Sequence, residues 1–334
     1  MHALVTGATG LFGRHLVDVL VEAGVTVRAL VRAGSDTGHL RGRGAALVQG
    51  QAGDEASLRR AVEGMDIVFH LAGYLTAGSP FGAGDKADPS EWARYQAINV
   101  QFTEAMLAAS RGAGVRRFLF VSSSSVYSLA APVPTPEDAP LAPFSTYGRS
   151  KLLAEEKVRA YQEQGLETTI IRPPIAYGPG DRYFTPMALR LAQLPVLPLI
   201  NGGRNALDLV YAADAAELMW RAASSAKGAG RVYNAGPGRP TSIFDLVQSY
   251  RRLQGRGPII LAVSAETSRR TAWLSRRLVK PFIAEAEAAL TPEGLALMAR
   301  DHRLDMSRAA AELDYYPRFS LDEGLAHTLA EMVH

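Results

Sequence analysis

Cysteine is absent from all 334 residues, which removes disulfides, iron–sulfur clusters, thiolate zinc sites and cysteine nucleophiles together. Charge is nearly balanced. The 36 Lys and Arg against 33 Asp and Glu leave +3 with no dominant basic run, so no nucleic-acid partner is expected. Long hydrophobic runs are missing too, and without about 18 uninterrupted apolar residues no transmembrane helix is expected. The N-terminus, Met1-His2-Ala3-Leu4-Val5-Thr6-Gly7, enters a strand pattern without a charged leader or a signal-length apolar segment. The seven histidines (His2, His15, His39, His70, His302, His327 and His334) show no metal-ligand spacing, and no metal is expected. Internal repeats and low-complexity tracts are also lacking. These absences leave a soluble protein, expected in the cytoplasm. Its 47% hydrophobic content is enough for a sizeable core, and its length suits about two domains.

Short apolar runs rich in β-branched and aromatic residues recur at Ala3–Val5, Val25–Val31, Ala46–Val48, Asp66–Leu71, Arg117–Ser122 and Thr168–Arg172. Stretches with helical spacing lie between them, such as Leu16, Val17, Leu20 and Val21. Strands that are apolar throughout and alternate with helices predict a parallel sheet covered on both faces, hence an α/β, doubly wound Rossmann sheet. After Pro173 the rhythm fails: Pro179, Pro186, Pro195 and Pro198 interrupt what reads as short helices. Leu209–Tyr211 followed by Ala212–Ala223 reads as one more strand–helix pair. The expected division is a dinucleotide-binding domain over 1–175, with 203–234 contributing a further strand and helix. A smaller mixed substrate lobe is expected from 176–202 and 235–334.

The first strand ends in TGATGLFG, with Gly7, Gly10 and Gly13 three apart and a helix starting near Leu11. Glycines are needed where the chain turns tightly and the backbone approaches a pyrophosphate seated on a helix N-terminus. A second cluster, Tyr147-Gly148-Arg149-Ser150-Lys151, opens a helix, and positions four apart share one face. A nearby ammonium and an oxidised nicotinamide would favour the phenolate and lower the Tyr147 pKa from its ordinary value near 10, which suits proton exchange with a substrate hydroxyl. The fifth strand, RFLFVSSSSVY, delivers a hydroxyl cluster to the carboxyl end of the sheet.

With this glycine spacing, HLAG at His70–Gly73, Asn99-Val100, VSSSSVY, YGRSK, RPPIAYGPGD at Arg172–Asp181 and DLVYAADAA at Asp208–Ala216, the chain resembles the extended branch of the short-chain dehydrogenase/reductase superfamily. That branch is the NAD-dependent epimerase/dehydratase family, and the 3β-hydroxysteroid dehydrogenase-like members are most similar. The resemblance implies a catalytic hydroxyl at Ser123, an acid/base at Tyr147, its partner at Lys151, and an ordering asparagine at Asn99. It implies cofactor contacts from Gly7, Thr9, Gly10, Leu11, Phe12, Gly13, Arg32, Gln51, Ala52, Leu71, Ala72, Gly73, Val121, Tyr147, Lys151 and Pro174. Substrate contacts are implied for Tyr74, Ser123, Ser124, Ile175 and Tyr177. A homodimer through helices beginning near Glu91 and Thr146 is implied as well.

Departures from the family pattern narrow the chemistry. Ser124 and Ser125 stand where dehydratases of nucleotide sugars carry an Asp-Glu pair, which argues against water elimination. Ile175 and Leu207 stand where epimerases hold a diphosphate with asparagine and arginine, although Arg182, Arg204 or Arg239 are candidate substitutes. The expected function is therefore an NAD(P)-dependent oxidoreductase interconverting a secondary alcohol and a ketone on an apolar or mid-sized small molecule. A nucleotide-sugar epimerase with transient oxidation is the alternative. A redox sensor that binds the dinucleotide without turnover would have no need of Tyr147 and Lys151. The second strand, VTVRALVR, ends at Val31-Arg32 with no carboxylate to repel a 2′-phosphate, so NADP is expected over NAD, with Arg14 a second candidate contact. Glu155-Glu156 reads as a solvated helix face. The basic amphipathic stretch 266–282 reads as a lobe helix rather than a membrane contact.

Overall fold

The computed structural model describes residues 1–75, 89–268, 295–296 and 298–332. Most of the stretch between Tyr74 and Trp92, and the basic segment 266–282 from residue 269 on, lie outside the described residues. Strands β1 (His2–Thr6), β2 (Thr26–Val31), β3 (Ala46–Gln49), β4 (Ile67–His70), β5 (Arg117–Val121) and β6 (Glu167–Arg172) fall where apolar runs are read. They form a parallel sheet in the order β3-β2-β1-β4-β5-β6, with a seventh strand, β10 (Arg231–Asn234), beyond β6. The order reverses between β1 and β4, and at such a switch point the two loops part and leave a crevice.

Alternation along the strands divides the core. Ala3, Val5, Ile67, Phe69, Leu119 and Val121 face one apolar layer, which α1 (Leu11–Glu22), the short α2 (Gly38–Gly42) through Leu40, and α8 (Ala212–Ser224) cover. Leu4, Val68, Phe118 and Phe120 face the other, under α3 (Glu55–Val62), α5 (Phe102–Gly112) and α6 (Thr146–Glu163). A helix α4 (Pro89–Tyr95) and a π-helical stretch (Gln96–Gln101) precede α5.

Two expectations are corrected here. Leu209–Tyr211 (β9) does not join the main sheet; it pairs with β7 (Ile175–Tyr177) in a separate two-stranded parallel sheet. Pro173 and Pro174 lack the N–H that would carry β6 onward, so the chain leaves the main ladder there. The strand contributed by 203–234 is instead β10, which follows two glycines and is too short and too polar to read as a core strand. Nor do the prolines merely interrupt helices. Pro198 sits within β8 (Val196–Ile200), half of a two-stranded sheet with β11 (Ile259–Val263), while Pro186 is tolerated in the first turn of α7 (Phe184–Ala192). The lobe core gathers Tyr177, Phe184, Met187, Tyr211, Leu246 and Tyr250 with Leu325. Ala309, Leu313 and Tyr315, far along the chain, return to the α8 face of the main sheet.

Among the described residues no helix is long and apolar enough to cross a membrane, and no group of three His, Asp or Glu side chains could hold a metal ion.

Candidate active site

At the switch point, Gly7 adopts φ +70°, and a Cβ there would lie 2.7 Å from the Ala72 nitrogen. A Cβ at Gly13 would lie 2.2 Å from the Gly7 carbonyl oxygen, so these two glycines let α1 and the β4 loop close on the turn. Gly10 differs. It is the N-cap of α1 in extended backbone, and a Cβ would come no nearer than 3.2 Å to the Gly7 oxygen. No side chain caps this helix and no acidic residue lies in its first turn, so nothing on the chain's own first turn competes for the N–H groups at its positive end. Thr9 lies in the same turn, and Leu11 and Phe12 line the cavity beyond it, joined by Leu71, Gly73, Val121 and Pro174. Arg32, Gln51 and Ala52 lie instead past the ends of β2 and β3, where Val31 pairs with Gln49 and Arg32 is exposed. Arg14 pairs with Glu331 at 2.9 Å and packs under Gly180.

A buried polar chain connects this turn to α6. Thr103 Oγ1 donates to the Asn99 carbonyl at 2.7 Å, so it accepts from His70 Nε2 at 3.0 Å. His70 Nδ1 then accepts from Thr6 Oγ1 at 2.8 Å, and Thr6 Oγ1 accepts from the Ala72 N–H at 3.2 Å. Burial holds the neutral imidazole, pushing its pKa down to about 3. Asn99 continues the chain: Oδ1 accepts from the Tyr74 N–H at 2.6 Å, while Nδ2 donates to the Tyr74 carbonyl and, at 2.8 Å, to Ser150 Oγ on α6. Asn99 thus fixes the loop after β4 against α6.

Helix α6 starts at Ser145, whose hydroxyl accepts from the Gly148 N–H at 3.0 Å. A Cβ at Gly148 would lie 2.2 Å from the Ser125 carbonyl oxygen. Its absence lets the helix lie on the turn after β5, and Tyr147 and Ser123 line the same cavity. Ser123 Oγ accepts from the Ser125 N–H and donates to Ser125 Oγ, each at 3.1 Å, while Ser122 Oγ is buried without a partner. Lys151 is 3% exposed; its ammonium donates to the Val121 carbonyl at 2.9 Å and lies 6.0 Å from the Tyr147 ring centroid. Desolvation pushes Lys151 down to about 8, with Glu155 acting against it. Desolvation also pushes Tyr147 up to about 12, with nearby Ser123 acting against it. The lowering of the Tyr147 pKa expected from the spacing is therefore not supplied by the chain's own groups: loss of water dominates.

Glu155 corrects another expectation. It is wholly buried rather than solvated, receiving Arg172 Nε at 2.9 Å and Nη2 at 2.6 Å. Arg172 also donates to the Tyr127 hydroxyl and the Glu137 carbonyl, so β6, α6 and the loop after β5 share one polar hub beneath the site.

The cavity, about 300 Å³, runs from Phe12 past Ser122–Ser125, Tyr147 and Lys151 to a wall of Leu129, Val133, Phe144, Ile175, Phe184 and Leu207. Tyr74, Ser123, Ser124 and Ile175 line it as expected substrate neighbours, but Tyr177 does not; its ring belongs to the lobe core. Arg182, Arg204 and Arg239 do not line it either, and the Arg204 guanidinium stacks 4.1 Å from the Phe244 ring centroid. Asp301–Leu304, missed in the sequence, forms the far end. That segment is threaded between Ala206–Asp208 and Thr135: the Thr135 N–H donates to the Arg303 carbonyl and the Leu304 N–H to Asp208 Oδ2, each at 2.7 Å. No local motif marks it, because only long-range pairing brings it there. Burial raises Asp208 to about 7.

A model of the NAD dependent epimerase/dehydratase family matches residues 3–236. The chain is 28% identical over 97% of its length to a 4-hydroxy-2-methyl-3-oxo-4-farnesyl-3,4-dihydroquinoline-1-oxide ketoreductase of Stigmatella aurantiaca, covering 95% of that protein. It is 30% identical to a 2-alkyl-3-oxoalkanoate reductase of Stenotrophomonas maltophilia, over 97% of each chain. Among solved structures, MoeE5 in complex with UDP-glucose and NAD superposes with a TM-score of 0.74 at 26% identity, covering 100% of this chain and 99% of that one.

Proposed function

Because the chain belongs to the NAD dependent epimerase/dehydratase family, being an enzyme of its extended short-chain dehydrogenase type, we propose that it interconverts a secondary alcohol and a ketone on an apolar substrate through Ser123, Tyr147 and Lys151. The observation that carries this reading is that Ser123, Tyr147 and Lys151 line one cavity, with the Lys151 ammonium 6.0 Å from the Tyr147 ring centroid and a largely apolar wall opposite.

The crevice suits a dinucleotide. Gly73 leaves a hollow that a Cβ would fill, 3.1 Å from Lys151 Nζ and 3.5 Å from Asn99 Oδ1. The uncapped start of α1 offers N–H groups for phosphate. When bound, the nicotinamide supplies or accepts the hydride. The chain's own part is proton transfer and orientation. A Tyr147 phenol held near 12 stays protonated at neutral pH and is ready to give its proton to a ketone oxygen. The Ser123 hydroxyl donates to that oxygen as charge develops on it, and the Lys151 ammonium stabilises the phenolate left behind. The lobe formed by 176–202 and 235–334 would hold the rest of the substrate, and two copies would pair through α4 and α6.

NADP is preferred over NAD in this reading, since Arg32 stands exposed where an acidic residue would read the 2′-hydroxyl. Nucleotide-sugar epimerisation is the second reading, favoured by Arg303 at the far end of the cavity and by the ligands of MoeE5. The test is to supply NADPH with a 2-alkyl-3-oxoalkanoate, and in parallel UDP-glucose with NAD. Stoichiometric NADPH oxidation with the keto acid and an inert sugar nucleotide is expected. Epimerised sugar without net redox change would overturn the reading.

A further inference from the structure

Residues 301–304 enter the catalytic cavity on a segment whose backbone is held from both sides. The His302 N–H donates to the Ala206 carbonyl and the Thr135 N–H to the Arg303 carbonyl, each at 2.7 Å, while Leu207 bridges to His302 and Thr135 to Leu304. Arg303 therefore stands on a fixed backbone, half-buried in the cavity wall. Its guanidinium has no hydrogen bond or ion pair among the described residues. The wall's lysine and its three aspartates are each engaged. Lys151 holds the Val121 carbonyl, and Asp181 Oδ2 accepts from the Thr185 N–H at the start of α7. Asp301 Oδ1 accepts from the Ala206 N–H at 2.8 Å, and Asp208 Oδ2 from the Leu304 N–H at 2.7 Å. A cation left unspent in a largely apolar wall is costly unless something comes to meet it.

Asp208 bears on what that partner is. Burial raises its pKa to about 7, with the Leu304 N–H and the Arg303 charge acting against burial. Its Oδ1 has no hydrogen-bond partner among the described residues and keeps accessible surface where the residue lines the cavity. A carboxyl that holds its proton donates a hydrogen bond to an anion rather than repelling it, and an anion bound beside it favours that protonated form further.

We propose that Arg303 and Asp208 form a subsite for a carboxylate carried by the ketone substrate, so that the molecule reduced is an oxo acid rather than a simple ketone. The inference rests on the alcohol–ketone reading, because the carbonyl of the same molecule must reach Tyr147. The planar guanidinium fork matches a carboxylate through two parallel N–H bonds. A diphosphate presents two charged groups, and among the described residues Arg303 is the one guanidinium in the cavity wall. Leu129, Val133, Phe144 and Leu207 take the hydrocarbon of such an acid.

The test compares 3-oxodecanoate and 9-oxodecanoate, each with its primary amide, in wild type, Arg303→Gln and Asp208→Asn. The amides keep the shape of the acids without the charge. Wild type should prefer at least one acid over its amide by about tenfold in kcat/KM, the effect of one charge-assisted contact, and the ratio should fall to near one in Arg303→Gln. Asp208→Asn keeps both a donor and an acceptor for the Leu304 N–H, and should retain the preference; its loss there overturns the donor role of Asp208. Calorimetric titration of decanoate, without reduced dinucleotide, reads the subsite apart from turnover, and affinity should drop about tenfold in Arg303→Gln. Oxo acids reduced no better than their amides by wild type, or an unchanged ratio in folded Arg303→Gln, would overturn the proposal and leave the alcohol–ketone reading standing. Decanoate that binds wild type and weakens in Arg303→Gln, while no ketone is reduced, would leave the subsite standing and overturn that reading instead. UDP-glucose whose binding is lost in Arg303→Gln, with that of decanoate unchanged, would overturn the proposal in favour of a diphosphate.

Discussion

Glu155→Gln separates a buried ion pair from the solvated helix face that the charge pattern of α6 suggests. A carboxylate on a solvated helix face can be neutralised at a cost within about 0.5 kcal/mol. In the structure both Glu155 and Arg172 are wholly buried and joined by two charge-assisted bonds of 2.6 and 2.9 Å. The amide keeps the shape but leaves the guanidinium charged with no counterion of equal strength, a change that costs about 3–5 kcal/mol in buried pairs. An unfolding entropy of about 2.1 cal/mol/K per residue amounts to about 0.7 kcal/mol/K over 334 residues, so Tm should fall by about 4–7 °C. Differential scanning calorimetry of the two proteins at neutral pH reads this directly. Replacing both partners with Leu and Met should recover part of the loss, because no buried charge is then left unpaired. A Glu155→Gln protein that melts within one or two degrees of wild type would refute the reasoning.

Other perturbations reach the remaining parts of the site. Gly10→Val should fold, since a Cβ there meets only the Gly7 oxygen at 3.2 Å, but should lose dinucleotide binding in calorimetric titration; Gly13→Ala, with a Cβ 2.2 Å from the same oxygen, should instead lose stability. Lys151 is held down at about 8, so its charge is present below that pH and lost as pH rises through it. The rate of ketone reduction should accordingly fall on the alkaline side of about 8, and in Glu155→Gln that limb should move to lower pH, because the anion that supports the ammonium is gone. Arg32→Ala should weaken NADPH by about tenfold, the worth of one charge-assisted contact of about 1.4 kcal/mol, and leave NADH unchanged; equal losses for both would remove Arg32 from the 2′-phosphate.

The main sheet was legible because its strands are apolar on both faces and its first turn needs glycine, and both are local properties that survive in a single sequence. Tyr147 and Lys151 were legible for the same reason: one helical turn separates them, and Gly148 marks the close approach of α6 to the Ser125 turn. What escaped was assembled by contacts between distant segments. Glu155 shows charge on a helix in the sequence, yet its partner Arg172 arrives from β6, so its burial is invisible locally. Asp301–Leu304 reaches the cavity by bridging to Thr135 and Leu207, more than 90 positions away. Arg231–Asn234 joins the sheet as a short edge strand with little apolar pattern of its own. Arg14 sits near the glycine turn in sequence but turns to Glu331 on the last helix. Tyr177 follows a motif on the substrate side and turns into the lobe core.

The most direct test of the central claim is a single turnover of a 2-alkyl-3-oxoalkanoate by Tyr147→Phe and by wild type, each loaded with NADPH and followed by loss of reduced-nicotinamide absorbance. Removing the proton donor while keeping the ring should slow the reaction by roughly 100- to 10,000-fold, with NADPH affinity unchanged. A Tyr147→Phe protein that reduces the ketone at the wild-type rate would contradict the assignment of Tyr147 as the proton donor.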